Sequence, residues 1–367
     1  MKFKCLKNDI LNATQIVQKA VSTRSTLPIL TGILLQLKDK QIKLSATDLE
    51  IAIEYELEID GEIDGSVVVP AKIFGDIIKN LPESIITMDA TKSPNQINIV
   101  CERSSFSIKT LPWEDFPKFP EIDNLRSFSL ESDLLGNAIK QVSKATSRDD
   151  TRPVLTGVLI NVVRDKLKMV ATDSYRLAVR EVKVEDIGED RIKIIVPGRT
   201  LDELSKILPG ANTKVVFGVT ESQIVFRFGG LTLISRLIEG EFPNYQQLLP
   251  ESYNVKLEIN KDELTCAIKR VSLIAASNIP VKLYTNKNLM RISTQVTDVG
   301  GAIEEISIKG PEEKMEISFN WQYLLDGVVS VQGDKVILEI VDALKPGMIR
   351  SPEAEDFLYL VMPVRIS

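Results

Sequence analysis

The stretch TRPVLTGVLINVVRDKLKMVATDSYRLAVRE, residues 151–181, decides the fold. Its β-branched residues 154–163 predict a strand, the polar residues 164–166 a turn, and the alternating residues 167–172 a second strand, with a third strand after them. An earlier copy, LPILTGILLQLKDKQIKLSATDLEIAI, occupies residues 27–53. Leu-Thr-Gly and Ala-Thr-Asp occur in both copies, and each motif recurs after 125 residues. Because the register is kept over the whole stretch, the chain is built from a repeated unit of domain length.

Helix patterns extend the repeat to three units. Amphipathic patterns at 7–21, 132–146 and 261–275 predict one helix at the start of each unit, and the last two share Ala-Ile-Lys-x-Val. A second helix is predicted within 69–82 and 196–209, both of which begin with Val-Pro and end with Leu-Pro. Proline is favoured in the first turn of a helix, and a later proline ends the helix. Residues 319–331 carry a looser version.

Strand pairs follow these second helices, and an Asp- or Glu-Phe-Pro turn follows the strands. The pairs are 85–88 with 97–101 and 215–217 with 224–228, and the turns are 114–117 and 240–243. Many strands joined by short turns favour antiparallel sheets in an α+β fold. We therefore expect three tandem two-helix, antiparallel-sheet domains at 1–124, 125–252 and 253–367, divided where Pro, Asn and charged residues cluster.

The composition limits the classes of function. The chain has 367 residues, 44% of them hydrophobic, a formal net charge of −6, three widely separated cysteines and no histidine. Without histidine, the commonest general base and transition-metal ligand are missing, so catalysis is disfavoured and neither a metal nor a cofactor is expected. There is no long apolar run and no signal-peptide core, which predicts a cytoplasmic protein that does not bind membranes.

The combination of LPILTG, ATD, VPAKIF, the two Phe-Pro turns and a terminal MPVR resembles the bacterial DNA polymerase III β sliding clamps. The resemblance covers the whole chain. It implies a head-to-tail homodimer, a closed six-domain ring with helices inside and sheets outside, which slides on duplex DNA without catalytic activity. Domains of this length are roughly 35 Å across, so six in a ring leave a hole wider than a duplex. The implied partners are DNA of any sequence, the DNA polymerase III alpha subunit, the clamp loader and other proteins with clamp-binding motifs.

The resemblance places the predicted helices inside the ring, so their basic residues are the candidates for DNA contact. Phosphate contacts carry no sequence information and therefore permit sliding. A solvated helix face is the alternative for any one of these lysines, but 140, 144 and 148 would form a row if the helix reached 148. The candidates are Arg24, Lys72, Lys79, Lys140, Lys144, Arg148, Arg199 and Lys206; Lys19 and Arg270 lie on the inward faces of the other predicted helices, 7–21 and 261–275.

A groove for partner peptides is implied at the edge of the middle domain and the C-terminal tail. After Ala-Thr-Asp the first copy continues with Leu-Glu and the second with Ser-Tyr-Arg, which predicts a turn one residue longer in the second copy. The alternative for 362–366 is a last core strand, which Pro363 disfavours. The candidate groove residues are Arg152, Leu155, Thr172, Tyr175, Arg176, Leu177, Pro243, Leu248, Leu344, Leu360, Met362, Pro363, Val364 and Arg365; Gln247 and Pro346 are unexpected residue types near its rim.

The ring seam is the third implied site. In the family, a strand of the first domain meets a helix of the third, and the matching residues here are Phe106, Ile108, Leu273 and Ile274. The alternative places all four in their own domain cores.

Two other functions remain open from the sequence. One is a carboxylate-based enzyme that uses Asp48 and Asp173 as equivalent acids, although Asp after a strand usually caps backbone N–H groups. The other is a monomeric repeat scaffold that does not bind DNA.

Overall fold

The computed structural model describes residues 1–22, 26–119, 126–189, 191–275, 279–311 and 314–365. Within these ranges it contains six α-helices. They are α1 (Lys7–Val17), α2 (Ala71–Asn80), α3 (Ser132–Val142), α4 (Gly198–Ile207), α5 (Lys261–Ser272) and α6 (Trp321–Ser330).

The same ranges contain twenty-five strands. The first nine are β1 (Lys2–Leu6), β2 (Gly32–Lys38), β3 (Gln41–Thr47), β4 (Ile51–Glu58), β5 (Asp60–Ile63), β6 (Gly65–Pro70), β7 (Ile85–Asp89), β8 (Gln96–Cys101) and β9 (Ser104–Lys109). The next eight are β10 (Arg126–Glu131), β11 (Gly157–Val163), β12 (Lys166–Thr172), β13 (Arg176–Lys183), β14 (Arg191–Pro197), β15 (Lys214–Val219), β16 (Gln223–Phe228) and β17 (Leu231–Arg236). The last eight are β18 (Val255–Asn260), β19 (Pro280–Asn286), β20 (Leu289–Val296), β21 (Gly300–Lys309), β22 (Met315–Asn320), β23 (Lys335–Ile340), β24 (Gly347–Arg350) and β25 (Phe357–Val361).

The contacts of the chain divide it into two compact units. The first comprises residues 1–133 and 206–237, and the second comprises residues 134–205 and 238–367. The first unit holds a five-stranded sheet, β5-β1-β7-β8-β9, and an eight-stranded sheet, β10-β15-β16-β17-β4-β3-β2-β6. The second unit holds a twelve-stranded sheet, β14-β11-β12-β13-β25-β24-β23-β18-β21-β20-β19-β22. The strand ladders are antiparallel, as the short predicted turns require.

All six predicted helices are present, and each buries one apolar face. In α1 the buried stripe includes Ile10, Ala13 and Val17, which lie three or four residues apart and so face the same side. Three helices are shorter than predicted: α1 gives way to a 3-10 turn at 18–20, α3 gives way to a 3-10 turn at 143–145, and α5 ends at Ser272. Helix α3 therefore does not reach residue 148, which was the condition for a row of 140, 144 and 148.

The repeated hairpin forms in both copies, with one correction at its start. Residues 154–156 belong to a 3-10 turn, Pro153–Thr156, and the strand begins only at Gly157; the first copy has the same turn at Pro28–Thr31. A Cβ on Gly32 would lie 2.4 Å from Val68 Cγ1, and one on Gly157 would lie 2.5 Å from Ile195 Cγ2. The shared glycine therefore lets a neighbouring strand approach closely.

The turn after Ala-Thr-Asp has the same length in both copies, so the predicted extra residue is wrong. Thr47 pairs with Ala52 across the first turn, and Thr172 pairs with Leu177 across the second, five residues on in each case. The residue directly after the aspartate has a positive φ in both copies, 76° at Leu49 and 79° at Ser174. Arg176 therefore occupies the position that Ile51 has in the first copy, and the copies differ in side chains rather than in backbone.

Candidate functional site

An apolar cluster forms the floor of the predicted peptide groove. Leu177 on β13 and Leu360 on β25 are buried in it, because these two strands pair directly. Its other buried members are Leu159, Val170, Val179, Ile195 and Phe242, with Val154, Ile238, Tyr245, Leu249, Leu358 and Met362 half-buried against them. The structure thus brings the middle hairpin, the Phe-Pro turn and the chain end together in one apolar surface, as a groove for partner peptides requires.

The C-terminal tail leaves the sheet before it reaches the groove rim. Strand β25 ends at Val361, so the alternative of a core strand through the tail is wrong. Beyond it, Met362 N–H donates to Tyr175 O at 2.8 Å and Val364 N–H donates to Ser318 O at 2.8 Å. Backbone hydrogen bonds to Tyr175 and Ser318 therefore hold the described part of the tail, 362–365, in which the side chains of Val364 and Arg365 are exposed.

The predicted groove residues separate into floor and rim. Leu155, Thr172, Leu177 and Leu360 are buried, whereas Arg176, Met362 and Pro363 are half-buried. The exposed rim consists of Arg152, Tyr175, Pro243, Leu248, Leu344, Val364 and Arg365. Sequence reasoning missed Val154, Tyr245 and Leu249, which pack on the floor. Val154 and Leu249 had a signal in the sequence, since they adjoin the predicted groove residues Leu155 and Leu248; Tyr245 had none.

Arg176 is the centre of a polar network beside the groove. Its guanidinium donates to Asp173 Oδ2 at 3.0 Å, to Asp326 Oδ2 at 2.6 Å and to Tyr359 Oη at 3.4 Å, and it lies 4.3 Å from the centre of the Tyr323 ring. Burial alone would lower the pKa of Arg176, but Tyr359, Asp326 and Asp173 outweigh it and raise the pKa. Burial also raises the pKa of the Tyr359 hydroxyl. Arg176 is therefore a permanent cation held in place by its neighbours.

A cavity of about 700 Å³ opens next to this network. Its aromatic walls are Tyr175, Trp321 and Tyr323, and the rings of Tyr175 and Tyr323 stack with centroids 6.5 Å apart. The remaining lining residues are Thr146, Ser147, Arg148, Asp149, Arg152, Asp173, Arg176, Gln322, Leu325 and Asp326. Of the predicted DNA-contact residues, Arg148 lines this cavity beside predicted groove residues.

The other predicted DNA-contact residues lie on exposed helix faces or just beyond them. Lys72 and Lys79 are exposed on α2, Lys140 on α3, and Arg199 and Lys206 on α4. Lys144 lies in the 3-10 turn after α3, with its Nζ 3.9 Å from Asp326 Oδ1. Arg24 lies outside the described residues. Because α3 ends at Val142, the continuous row of 140, 144 and 148 does not form.

Two predicted seam residues are far more exposed than core residues. Phe106 is 40% exposed on β9, the last strand of its sheet, and Leu273 is 84% exposed just after α5. Ile108 and Ile274 are half-buried. Arg270, on the same helix, forms two hydrogen bonds of 2.8 Å with Glu304. The alternative that places all four residues in their own domain cores is therefore wrong for Phe106 and Leu273.

The two aspartates considered as catalytic acids have the same structural task. Asp48 Oδ1 accepts hydrogen bonds from the N–H groups of Glu50 and Ile51, and Asp173 Oδ1 accepts them from Tyr175 and Arg176. Both carboxylates therefore cap the turn after their strand.

Neither a metal cluster nor a membrane span is found in the described part of the chain. No group of three or more His, Cys, Asp or Glu side chains is placed there to hold a metal ion. Over the same residues, no helix has the length and hydropathy needed to cross a bilayer.

Known proteins match this chain over its whole length. Profiles of the DNA polymerase III beta subunit match it three times: the N-terminal domain at 1–120, the central domain at 129–244 and the C-terminal domain at 246–365. The beta sliding clamps of Staphylococcus epidermidis and Staphylococcus aureus are 35% and 34% identical to it, over 100% of this chain and 99% of each relative.

Solved structures agree with the sequence comparison. The crystal structure of the Bacillus subtilis DNA polymerase sliding clamp is 33% identical with a TM-score of 0.94, and both chains are covered completely. The Pseudomonas aeruginosa sliding clamp bound to griselimycin is 28% identical, also with a TM-score of 0.94 and full coverage. The chain therefore belongs to the family of DNA polymerase III beta subunits, the β sliding clamps.

Proposed function

We propose that two copies of this chain close head to tail into a ring around duplex DNA and tether the replicative polymerase and other replication and repair proteins. The membership of the clamp family supports the general function. The pairing of strands within the chain supports the closed ring, and it is the observation that carries the proposal.

Two junctions within the chain join neighbouring repeats. In each junction, the strand that follows the first hairpin of one repeat pairs with the last strand of the next repeat. Strand β4 pairs with β17, and β13 pairs with β25. In both junctions the third residues of the two strands face each other, Ile53 opposite Leu233 and Ala178 opposite Tyr359. All four of these residues are buried.

The strands equivalent to these in the remaining junction are β21 and β9, and within the described chain they do not pair with each other. Strand β9 ends its sheet, and in the described chain residues 300–307 of β21 pair with β20 on one side only, since β18 reaches just Ile308 and Lys309. The third residue of β9 is the exposed Phe106, and the third residue of β21 is Ala302. Pairing β21 of one copy with β9 of another repeats the internal junctions and leaves no such edge open, which is cyclic closure by a heterologous contact.

The register makes this proposal testable by crosslinking. If Phe106 faces Ala302, then Ser105 faces Ile303, as Thr232 faces Glu54 in the first internal junction. In a Cys266→Ser background, oxidised Ser105→Cys/Ile303→Cys should give a covalent dimer, twice the 40.9 kDa chain mass. The control pair Ser105→Cys/Ala302→Cys is one residue out of register, so its side chains point to opposite faces and should not crosslink. Equal crosslinking of both pairs, or of neither, would contradict the junction.

Encirclement is tested by DNA topology. Direct adhesion should be weak and steeply salt-dependent, because the chain carries a net charge of −6. A clamp loaded onto nicked circular DNA with a loader and ATP should survive a high-salt wash and leave after the circle is cut once. Retention on the linear DNA would show binding by contact and refute encirclement.

The cations on α3 and directly after it are proposed to guide DNA rather than to hold it. Reversing Lys140, Lys144 and Arg148 should impair loading more than it shortens retention on circles. The matched control reverses three exposed cations on strands, Lys183, Arg191 and Lys193. If both triple variants load equally poorly, net charge rather than the helix surface governs loading.

The remaining assignments follow from this role. We infer that the chain has no catalytic activity, acts in the cytoplasm, and consists of three domains at 1–124, 125–252 and 253–367. The use of Asp48 and Asp173 as turn caps supports the first inference, and the profile matches support the third. The groove on β13, β25 and the tail is proposed to receive the polymerase alpha subunit, the clamp loader and other partners in turn.

A further inference from the structure

An exposed apolar pair lies in the first unit, away from the residues assigned so far. Leu6 at the end of β1 faces Ile85 at the start of β7, and they are 58% and 55% exposed. Single exposed apolar residues are common on protein surfaces, but two large ones directly opposite each other form a small contiguous patch. A cross-strand pair of this kind needs an explanation.

The repeats show that the fold does not require an apolar pair there. At the same place, where the strand before the first helix ends, β10 and β15 pair Glu131 with Lys214. In the third repeat, β18 and β23 pair Asn260 with Lys335. Two copies therefore use polar pairs, which suit a solvated sheet surface, and only the first copy places aliphatic side chains in water.

A cleft of about 430 Å³ adjoins the pair. This volume is in the range of sites that hold a small ligand or a few side chains. The cleft is lined by Lys4, Cys5, Leu6, Asp9, Glu58, Ile59, Asp60 and Ile85. An aliphatic patch thus continues into a recess rather than onto a flat surface.

The charges around the cleft are unbalanced. Lys4 is the one cation among the lining residues, and it lies 3.3 Å from Glu62, a carboxylate that it shares with Lys2. The three lining carboxylates, Asp9, Glu58 and Asp60, have no salt bridge within the described residues. Burial and the nearby Asp9 raise the pKa of Cys5 to about 12, which agrees with an apolar and negative surrounding. A ligand that suits the cleft must therefore combine an aliphatic group with positive charge.

We propose that this cleft binds a short peptide segment of a partner protein in which lysine or arginine flanks a large aliphatic residue. The aliphatic side chain covers Leu6 and Ile85, and the cations approach Asp9, Glu58 and Asp60. This docking surface is separate from the groove on β13 and β25, and it does not depend on the proposed ring.

The test uses methyl NMR spectra of the full-length protein with labelled Leu and Ile methyl groups. The probe is the peptide acetyl-Gly-Lys-Leu-Ile-Arg-Gly-amide, and the control is acetyl-Gly-Glu-Leu-Ile-Asp-Gly-amide. The basic peptide should shift the Leu6, Ile59 and Ile85 methyl signals with millimolar to micromolar affinity, as expected for a contact of a few side chains. The acidic peptide should leave them unchanged.

Two variants separate the apolar and the charged contributions. Leu6→Glu/Ile85→Lys installs the pair that the second repeat carries at this place, so the fold and the net charge are kept. It should weaken basic-peptide binding about tenfold, since losing two aliphatic contacts costs at least ~1.4 kcal/mol. Glu58→Gln/Asp60→Asn should weaken binding and flatten its dependence on salt.

Three results would overturn the proposal. The first is equal binding of both peptides, which would mean apolar contact without charge recognition. The second is basic-peptide shifts at Leu177 and Leu360, in the groove on β13 and β25, in place of Leu6 and Ile85. The third is loss of self-association in Leu6→Glu/Ile85→Lys, which would show that a second copy covers the patch. Unchanged dimerisation together with reduced basic-peptide binding supports it.

Discussion

Leu273→Ala tests the seam most directly, because this leucine contributes little within its own chain. It is 84% exposed, directly after the last residue of α5. Alanine removes about three carbons, and each buried CH₂ is worth about 0.8 kcal/mol. Scaled by the exposed fraction, the loss is about 2 kcal/mol per seam. A closed ring has two seams, so the dimer should lose about 4 kcal/mol, or roughly a thousandfold in Kd.

The assay is sedimentation equilibrium or mass photometry over a concentration series, with Kd as the measured quantity. The matched control is Leu344→Ala, a leucine that is 62% exposed and is predicted to line the peptide groove instead. Both variants should keep the melting temperature of the monomer, since neither side chain is buried in the chain.

A change in Kd of less than about threefold for Leu273→Ala, or an equally weakened dimer for Leu344→Ala, would refute the place of Leu273 in the seam. A wild type that stays monomeric at micromolar concentration would refute the ring itself.

Three further predictions concern the second unit and the cysteines. Deleting residues 362–367 should abolish binding of a fluorescent polymerase-derived peptide, measured by anisotropy, while the dimer persists; unchanged affinity would place the groove elsewhere. Arg176→Met should lower the free energy of unfolding in urea by roughly 2–3 kcal/mol, because it removes the cation that pairs with Asp173 and, among the described residues, leaves Asp326 with only Lys144, 3.9 Å away. Adding Asp326→Leu should recover part of the loss, and full stability of the single variant would contradict the ion-pair network. Maleimide at pH 8 should add one adduct per native chain by intact mass, at the exposed Cys266, because the other two cysteines are buried; rapid addition of two or three would show that a second cysteine is accessible.

The repeated pattern made the six helices and the hairpins of the first two repeats predictable, because the same apolar periodicities recur from one copy to the next. Helix ends were harder to predict. The residues after Val142 keep an apolar stripe, yet the backbone tightens to a 3-10 turn at 143–145. Likewise Leu155 looks like a strand residue, but the preceding Pro153 starts a 3-10 turn. Local backbone preference therefore overrode the side-chain pattern at element ends.

The candidate site was predictable where the copies could be compared and not elsewhere. Tyr175 and Arg176 stood out because the first copy has other residues there. The partner of Arg176, Asp326, lies 150 residues away in sequence, and no local spacing connects the two. The extra turn residue was predicted wrongly because side-chain similarity aligned Leu177 with Ile51, whereas the backbone aligns Arg176 with it.

The turn after Ala-Thr-Asp has a consequence for how duplicated domains diverge. Its backbone is held by the shared residues: Thr47 Oγ1 accepts from Leu49 N–H and donates to Ile51 O, and Thr172 Oγ1 makes the same two bonds in the second copy. The two exposed side chains that follow the aspartate, Leu49 and Glu50 in the first copy and Ser174 and Tyr175 in the second, take no part in these bonds. One copy could therefore acquire new outward-facing chemistry while its strand kept the same path, so evolution could change recognition at this turn without first having to compensate for a damaged fold.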